Sequence, residues 1–343
     1  MFDKVEKTIF IVGNSRSGTT MLGRVFNNHP KVHTFKELHF FDAIASADIY
    51  TAGDKVSIEK ASSALNKLFR NERDGMYSKI GYEKYAADTD AVIAHVERKD
   101  LASIYSSFID FETRSNGKSI ACKQTPYYLS YVPEISGSMA NVYFIYLVRD
   151  PRAVALSQKN RWRRNSLSGS NHPLFKEVVR SWANYHPYIT SKIWVNCERK
   201  ANAYADMSNF RKITYEELVD EPVGTLNGLC EWLDIDFEPT MVDIPFVGSS
   251  MKTDQSDKTG TDKSRINAWK ESGGLSDTEI SIIQKVSGTE MQSLGYDIEP
   301  VQANVLKKIA ASMSLCVKAL LSICLNMYRS GNPLILIKRR LNL

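Results

Sequence analysis

Three short stretches carry residues whose types and spacing suit chemistry. The first is Gly13-Asn14-Ser15-Arg16-Ser17-Gly18-Thr19-Thr20, which follows the apolar run Ile9–Val12. Backbone N–H groups of a glycine-bearing turn, backed by the positive end of a following helix, form an anion site. The nucleotide loop G-x-x-x-x-G-K-[ST] sets a lysine after its second glycine to reach the outer phosphates of a triphosphate. Here Thr19 stands at that place, and Arg16 sits two residues before Gly18. Arg16, Ser17, Gly18, Thr19 and Thr20 thus offer backbone donors, hydroxyls and one guanidinium. That set suits a shorter anion, such as a phosphosulfate, or a generic phosphate. The second stretch, YLVRDPRAVALSQ (146–158), puts Arg149 at the end of an apolar run and Ser157 eight residues later. Asp150 and Pro151 fit the N-cap and first position of a helix, so a serine two turns in can face the strand terminus. The third, KELHFFD (36–42), spaces Glu37 and His39 two apart, on one side of an extended segment. They are either a proton acceptor with its support or a solvated Glu beside a packed His.

These residues need a scaffold, and the chain alternates strand and helix patterns. TIFIVG (8–13) reads as a buried strand, and GTTMLGRVFNNH (18–29) as a helix stopped by Pro30. Residues 55–70 and 89–111 read as helices, SIAC (119–122) as a strand, and NVYFIYLV (141–148) as a central parallel strand. A helix from Pro151 through Arg163 follows, then a helical region over 171–206 broken or kinked at Pro187. FRKITY (210–215) reads as a strand, VGTLNGLCEWL as a helix, 240–264 as a long loop, and the chain from Ser276 as a helix. This order predicts a three-layer α/β fold around a central parallel sheet.

Composition narrows the class. The 343 residues are 43% hydrophobic and 24% charged, a soluble globular balance with a net charge of +5. That charge is compatible with an anionic partner or with ordinary solvated surface, and nothing points to nucleic acid. Cys122, Cys197, Cys230, Cys316 and Cys324 are odd in number and never spaced C-x-x-C, which argues for a reducing compartment and against disulfides or zinc. The six histidines form no ligand pair, so no metal is expected. The first strand begins near Thr8, leaving no room for a signal peptide, so a cytoplasmic location is expected.

SRSGTT followed by HPKV resembles the 5′-phosphosulfate segment of sulfotransferases that use 3′-phosphoadenosine 5′-phosphosulfate (PAPS). The 146–158 stretch resembles the 3′-phosphate segment of that family. The resemblance implies that Arg149 and Ser157 grip the 3′-phosphate and that Tyr215, in ITYEELVDEP, lies near the adenine; a core aromatic at a strand end is the alternative for Tyr215. KTGTDKSRINAWKESGGLSDTEISIIQKVSGTEMQSLGY (258–296) resembles the late loop and closing segment of bacterial members. Lys258, Lys263 and Arg265 are then cofactor-closing cations or plain surface charges. ELHFFD resembles the E-x-H-F-F-D run of heparan-type glycan sulfotransferases, which implies Glu37 as general base with His39 as support. Arg16 stands where those enzymes carry lysine and where the tyrosylprotein class carries arginine. The family often reads lysine directly before Thr-Pro; in CKQTPYYL (122–129) Gln124 intervenes and Lys123 comes one residue early. Lys123 is carried over as a substrate contact.

The expected organisation is a sulfotransferase domain over residues 1–299 and an amphipathic helical tail over 300–343. The expected activity is transfer of a sulfuryl group from PAPS to a carbohydrate or glycolipid hydroxyl. A phosphate-loop NTPase or nucleotide kinase, and a non-catalytic module binding the product 3′-phosphoadenosine 5′-phosphate (PAP), are the rival readings. In the tail, Ser314, Lys318, Ser322 and Asn326 form a polar stripe at i+4 spacing. A packed helix, an interfacial membrane helix at the inner membrane face and a membrane span of about 20 residues are the readings open to it.

Overall fold

The computed structural model describes residues 3–38, 40–44, 53–75, 78–96, 98, 100–161, 175–243, 245–246 and 255–330. Strand β1 (Lys7–Gly13) leads through a turn into helix α1 (Thr19–Asn27) and strand β2 (Val32–Phe35). Short helix α2 (Phe40–Ala43) and helices α3 (Ile58–Arg73), α4 (Ala86–His95) and α5 (Leu101–Ser115) precede strand β3 (Ile120–Gln124). Helix α6 (Val132–Ser138), strand β4 (Val142–Val148) and helix α7 (Pro151–Lys159) follow. Then come α8 (Phe175–Ala183), α9 (Pro187–Ala203), β5 (Phe210–Thr214), α10 (Tyr215–Asp220) and α11 (Pro222–Leu233). A small ladder of β6 (Pro245–Phe246) with β7 (Gln255–Thr259), helix α12 (Asp277–Ser293) and helix α13 (Val305–Ser330) complete the described chain.

Strands β1 to β5 are parallel, in the order β2-β3-β1-β4-β5. The pleat of β1 feeds two cores. Phe10 and Val12 face a layer that includes residues of α3, α5, α6 and α9, whereas Ile9 and Ile11 face residues of α1, α10 and α11. All four are fully buried, so the strand reads as a continuous apolar run rather than an alternating one. This is the expected three-layer α/β architecture. The chain leaves β1 toward β2 on one side and leaves β4 toward β5 on the other. The crevice at the carboxyl ends of β1 and β4 is therefore the switch point at which open α/β sheets bind ligands.

The structure departs from the expected elements at four places. The helix expected over 89–111 is two helices, because Asp100 starts α5 by accepting the N–H of Ser103. Strand β2 was absent from the sequence reading; Val32–Phe35 is short and joins the sheet by pairing with β3. The loop expected over 240–264 contains the antiparallel β6–β7 pair, whose Gln255–Thr259 strand has no apolar alternation to betray it. The helix expected through Arg163 ends at Lys159, and residues 162 and 163 lie outside the described chain. The break at Pro187 is as expected, with His186 capping α9.

Candidate active site

The turn after β1 is shaped by close backbone approach. A side chain at Gly13 would meet the carbonyl oxygen of Leu147 at 2.5 Å, and one at Gly18 would meet the Tyr215 ring at 2.7 Å. Gly18 has φ +102°, and Arg16, unusually for a residue with a side chain, also lies in the left-handed region at φ +77°. Gly18 is the N-cap of α1 and supplies no side-chain cap, and no acidic residue occupies the first turn. The first N–H groups of α1 are thus left facing the crevice without a capping side chain. Ser17 is fully buried, and its Oγ has no hydrogen-bond partner among the described residues.

The turn after β4 meets this loop. Asp150 caps α7 by accepting the N–H of Arg152 at 2.7 Å, and Pro151 fills the first helical position, as the sequence reading expects. That capping starts the helix that carries Ser157. Arg16 Nε donates to Ser157 Oγ at 3.0 Å across 141 residues of sequence. Arg149 is buried, donates through Nη2 to the carbonyl oxygen of Arg265 at 2.8 Å, and approaches that of Arg16 at 3.5 Å through Nη1. Its guanidinium lies 4.1 Å from the centre of the Tyr215 ring, and its buried Nε has no partner among the described residues. Tyr215 is 3% exposed and packs in the core beside α1. It is a core aromatic at a strand end whose faces support Gly18 and Arg149.

The remaining residues separate. Arg265 is paired with Asp262, Nε to Oδ2 3.1 Å, while its carbonyl holds Arg149. Lys263 reaches Asp220 at 3.4 Å, on the outside of α10, and the side chain of Lys258 lies outside the described residues. Glu37 is exposed, two residues past the end of β2. It is on the same carboxyl edge as the loop but two strands away, about 10 Å by strand spacing. His39 lies outside the described residues.

Lys123 is a correction. It pairs in register with Phe10 on one side and Phe35 on the other, and its ammonium sits 3.7 Å from the Phe35 ring centre, with Tyr105 and Phe108 around it. At 1% exposure it reaches no substrate. Burial pulls it down to about 7, against the opposing pull of Glu72 and Glu112. The physical reason is the pleat: a lysine one residue early on a strand points to the opposite layer, and Gln124 takes the face toward Gly23 of α1.

Groups outside the expected site residues fix Arg149 itself. Its carbonyl accepts Trp194 Nε1 at 2.8 Å. The next N–H, of Asp150, goes to Glu216 Oε1 at 3.1 Å, and Glu216 Oε2 accepts the Tyr296 hydroxyl at 2.8 Å. Burial raises both the Glu216 carboxyl and the Tyr296 phenol. Arg152 pairs with Asp150 at 2.7 Å, lies over Trp269 and bonds Gln284, tying α7 to α12. The adjacency of Glu216 to Tyr215 and the closing LGY motif were the available signals. A cleft of about 480 Å³ lined by Arg98, Asp100, Ser103 and Glu134 shares no residue with this site.

A family model, that of the sulfotransferase family, matches residues 8–239, more than half of the chain. The chain belongs to the sulfotransferase family. Rat (Rattus norvegicus) sulfotransferase 2A6 is 26% identical over 143 residues, 42% of this chain and 48% of that protein, so the chain spans about half the length of the curated relative it matches. Among solved structures, the sulfotransferase domain of the curacin biosynthetic pathway is 19% identical, with a TM-score of 0.50 over 87% of this chain and all of that domain. The sulfotransferase domain of the Synechococcus PCC 7002 olefin synthase is 17% identical, with a TM-score of 0.50 over 87% of this chain and 97% of that one. At these identities the likeness to solved sulfotransferases is one of fold. The family match ends before α12 and α13, so Arg265, Tyr296 and the tail lie outside it.

Proposed function

We propose that this protein transfers the sulfuryl group of PAPS to a hydroxyl of a carbohydrate or glycolipid. The observation that carries the reading is the meeting of Arg16, Arg149 and Ser157 at the uncapped amino end of α1. The donor set fits the nucleotide. Ser17 Oγ and Arg149 Nε are buried without partners among the described residues, a burial that costs about 1–3 kcal/mol per group unless a ligand supplies an acceptor.

In this reading the N–H groups of α1, with Ser17, Thr19 and Thr20, hold the 5′-phosphosulfate. Arg149 and Ser157 hold the 3′-phosphate, and Arg16, tied to Ser157, spans the two anionic ends. Arg265, Lys258 and Lys263 lie on the segment that closes over the nucleotide. When bound, PAPS supplies an activated sulfuryl group, whose bond to the nucleotide oxygen breaks as the acceptor oxygen bonds to sulfur. Glu37 takes the proton of the acceptor hydroxyl, with His39 beside it. Arg16 and the α1 terminus hold the negative charge that grows on the phosphosulfate oxygens, so positioning and charge stabilisation are the chain's contribution. The similarity of ELHFFD to glycan-type enzymes supports the acceptor class, and five free cysteines support a cytoplasmic setting.

Calorimetric titration with PAP tests the reading. Arg149→Ala is expected to weaken binding by at least about 10- to 100-fold, the loss of charge-assisted hydrogen bonds. Glu37→Ala is expected to keep PAP affinity and lose turnover on glycan acceptors. Binding of ATP in preference to PAP would transfer the site to the NTPase class. Turnover intact in Glu37→Ala would remove Glu37 as the base.

A further inference from the structure

Helix α13 is amphipathic in the reverse sense to a packed surface helix. Its polar side is the one docked on the domain. Lys318 Nζ donates to the carbonyl oxygen of Tyr185 at 3.0 Å and lies 4.4 Å from the Trp182 ring centre. Ser322 Oγ donates to Asn184 Oδ1 at 2.5 Å, and His186 Nε2 lies 3.0 Å from the Ala311 carbonyl oxygen. The apolar side is left outward: Leu306 is 75% exposed, Met313 70% and Leu320 64%, with Ile309 and Val317 on the same stripe. A soluble helix turns such a stripe toward a core. Half-exposed Trp182 lies beside Lys318 at the docked side, an aromatic type enriched where membrane meets water.

Charge names the surface that would cover this face. Residues 301–343 contain seven Lys or Arg and no Asp or Glu, whereas the first 300 residues hold 37 basic and 39 acidic side chains. The tail therefore carries +7 and the rest of the chain −2, with Lys307 and Lys308 at the start of α13 and Lys338, Arg339 and Arg340 after it in sequence. Apolar stripe and basic flanks together match an anionic bilayer. Val305–Leu325 is long and apolar enough to cross a membrane, yet Lys318 and Ser322 tie it along the domain surface.

We infer that α13 is a membrane-surface anchor: its outward stripe beds into the headgroup boundary of an anionic phospholipid bilayer while its polar stripe holds the catalytic domain against that surface. The inference is independent of the sulfuryl-transfer reading, and its test uses neither PAP nor turnover.

The full chain is floated with vesicles of phosphatidylcholine alone or of equimolar phosphatidylcholine and phosphatidylglycerol. Flotation with the anionic vesicles, released by high salt, is expected. Lys307→Gln and Lys308→Gln are each expected to weaken that binding roughly fivefold. The triple variant Met313→Gln, Val317→Gln, Leu320→Gln is expected to stay unbound with its melting temperature unchanged, since all three side chains are exposed. A wild-type chain that fails to float overturns the inference. So does a dimer detected by light scattering that the triple variant abolishes while flotation is absent, because the stripe would then be an interface between copies. Binding that resists high salt and carbonate extraction would show a span and overturn the surface geometry.

Discussion

Lys123 and Arg149 belong to the two strand segments that flank β1, and each cation lies against an aromatic ring. Their surroundings diverge. Lys123 is inside β3, so the pleat drives its side chain into the layer of α3 and α5, where its ammonium has aromatic faces but no hydrogen-bond acceptor among the described residues. Arg149 follows the last residue of β4, where the backbone turns over the sheet edge, and it donates to the carbonyl of a distant loop. Tyr215 supports it from below as Phe35 supports Lys123. A buried cation is turned toward the crevice when it stands past the strand terminus, and into the core when it stands one or two residues before it.

The largest effect is expected at Lys123. Burial lowers it from the usual 10.5 to about 7, so between those values the folded chain has released a proton that the unfolded chain still holds. Stability then rises with pH across that interval, by up to about 1.4 kcal/mol per unit. Lys123→Met is expected to flatten this rise in urea titrations run from pH 7 to 10, and to leave PAP affinity unchanged. Loss of PAP binding in that variant would put Lys123 in the site and break the contrast.

Next in size is Arg149→Lys, which keeps the charge but loses the planar fork that stacks on Tyr215 and bonds two carbonyls. PAP affinity is expected to fall by about 1.5–3 kcal/mol, with little change in melting temperature. Affinity equal to wild type would mean that charge alone, not the fork, makes the site. Gly18→Ala adds a Cβ at φ +102° against the Tyr215 ring. It is expected to cost about 1–2 kcal/mol from the left-handed backbone, read as a lowered melting temperature together with weaker PAP binding. The smallest effect is expected for Tyr296→Phe, which strips one hydrogen bond from half-buried Glu216. A loss of about 1 kcal/mol in stability and a slight weakening of PAP binding would mark Glu216 as the support of the Arg149 turn.

Much of this was legible locally. Ile9–Val12 and Gly13 announce a buried strand and a turn, and Asp150-Pro151 announces the helix that carries Ser157, because burial pattern and capping are set within a few residues. The start of α12 at Ser276 was equally plain, with Ser276 and Glu279 forming a reciprocal cap. Strands β2 and β7 were not legible, since their partners, not their own side chains, make them strands. Lys123 was misread because its orientation depends on the register of β3 with β1, which no spacing within CKQTP reveals. Glu216 and Tyr296 are 80 residues apart, and nothing in either segment says that the Tyr296 hydroxyl donates to Glu216 beside the Arg149 turn.

The sequence by itself determined the alternation of strands and helices, the lysine-free turn, the capped helix after Arg149, and a tail whose basic charge has no acidic counterpart. Those features rest on side-chain type, short-range periodicity and composition. Only the tertiary structure decided that Arg16 meets Ser157, that Arg149 stands over Tyr215 while Lys123 is sealed in an aromatic layer, and that α13 turns its apolar stripe outward. Those outcomes depend on strand order, register and packing between segments far apart in the sequence, where each group's surroundings come from parts of the chain that its neighbours do not encode.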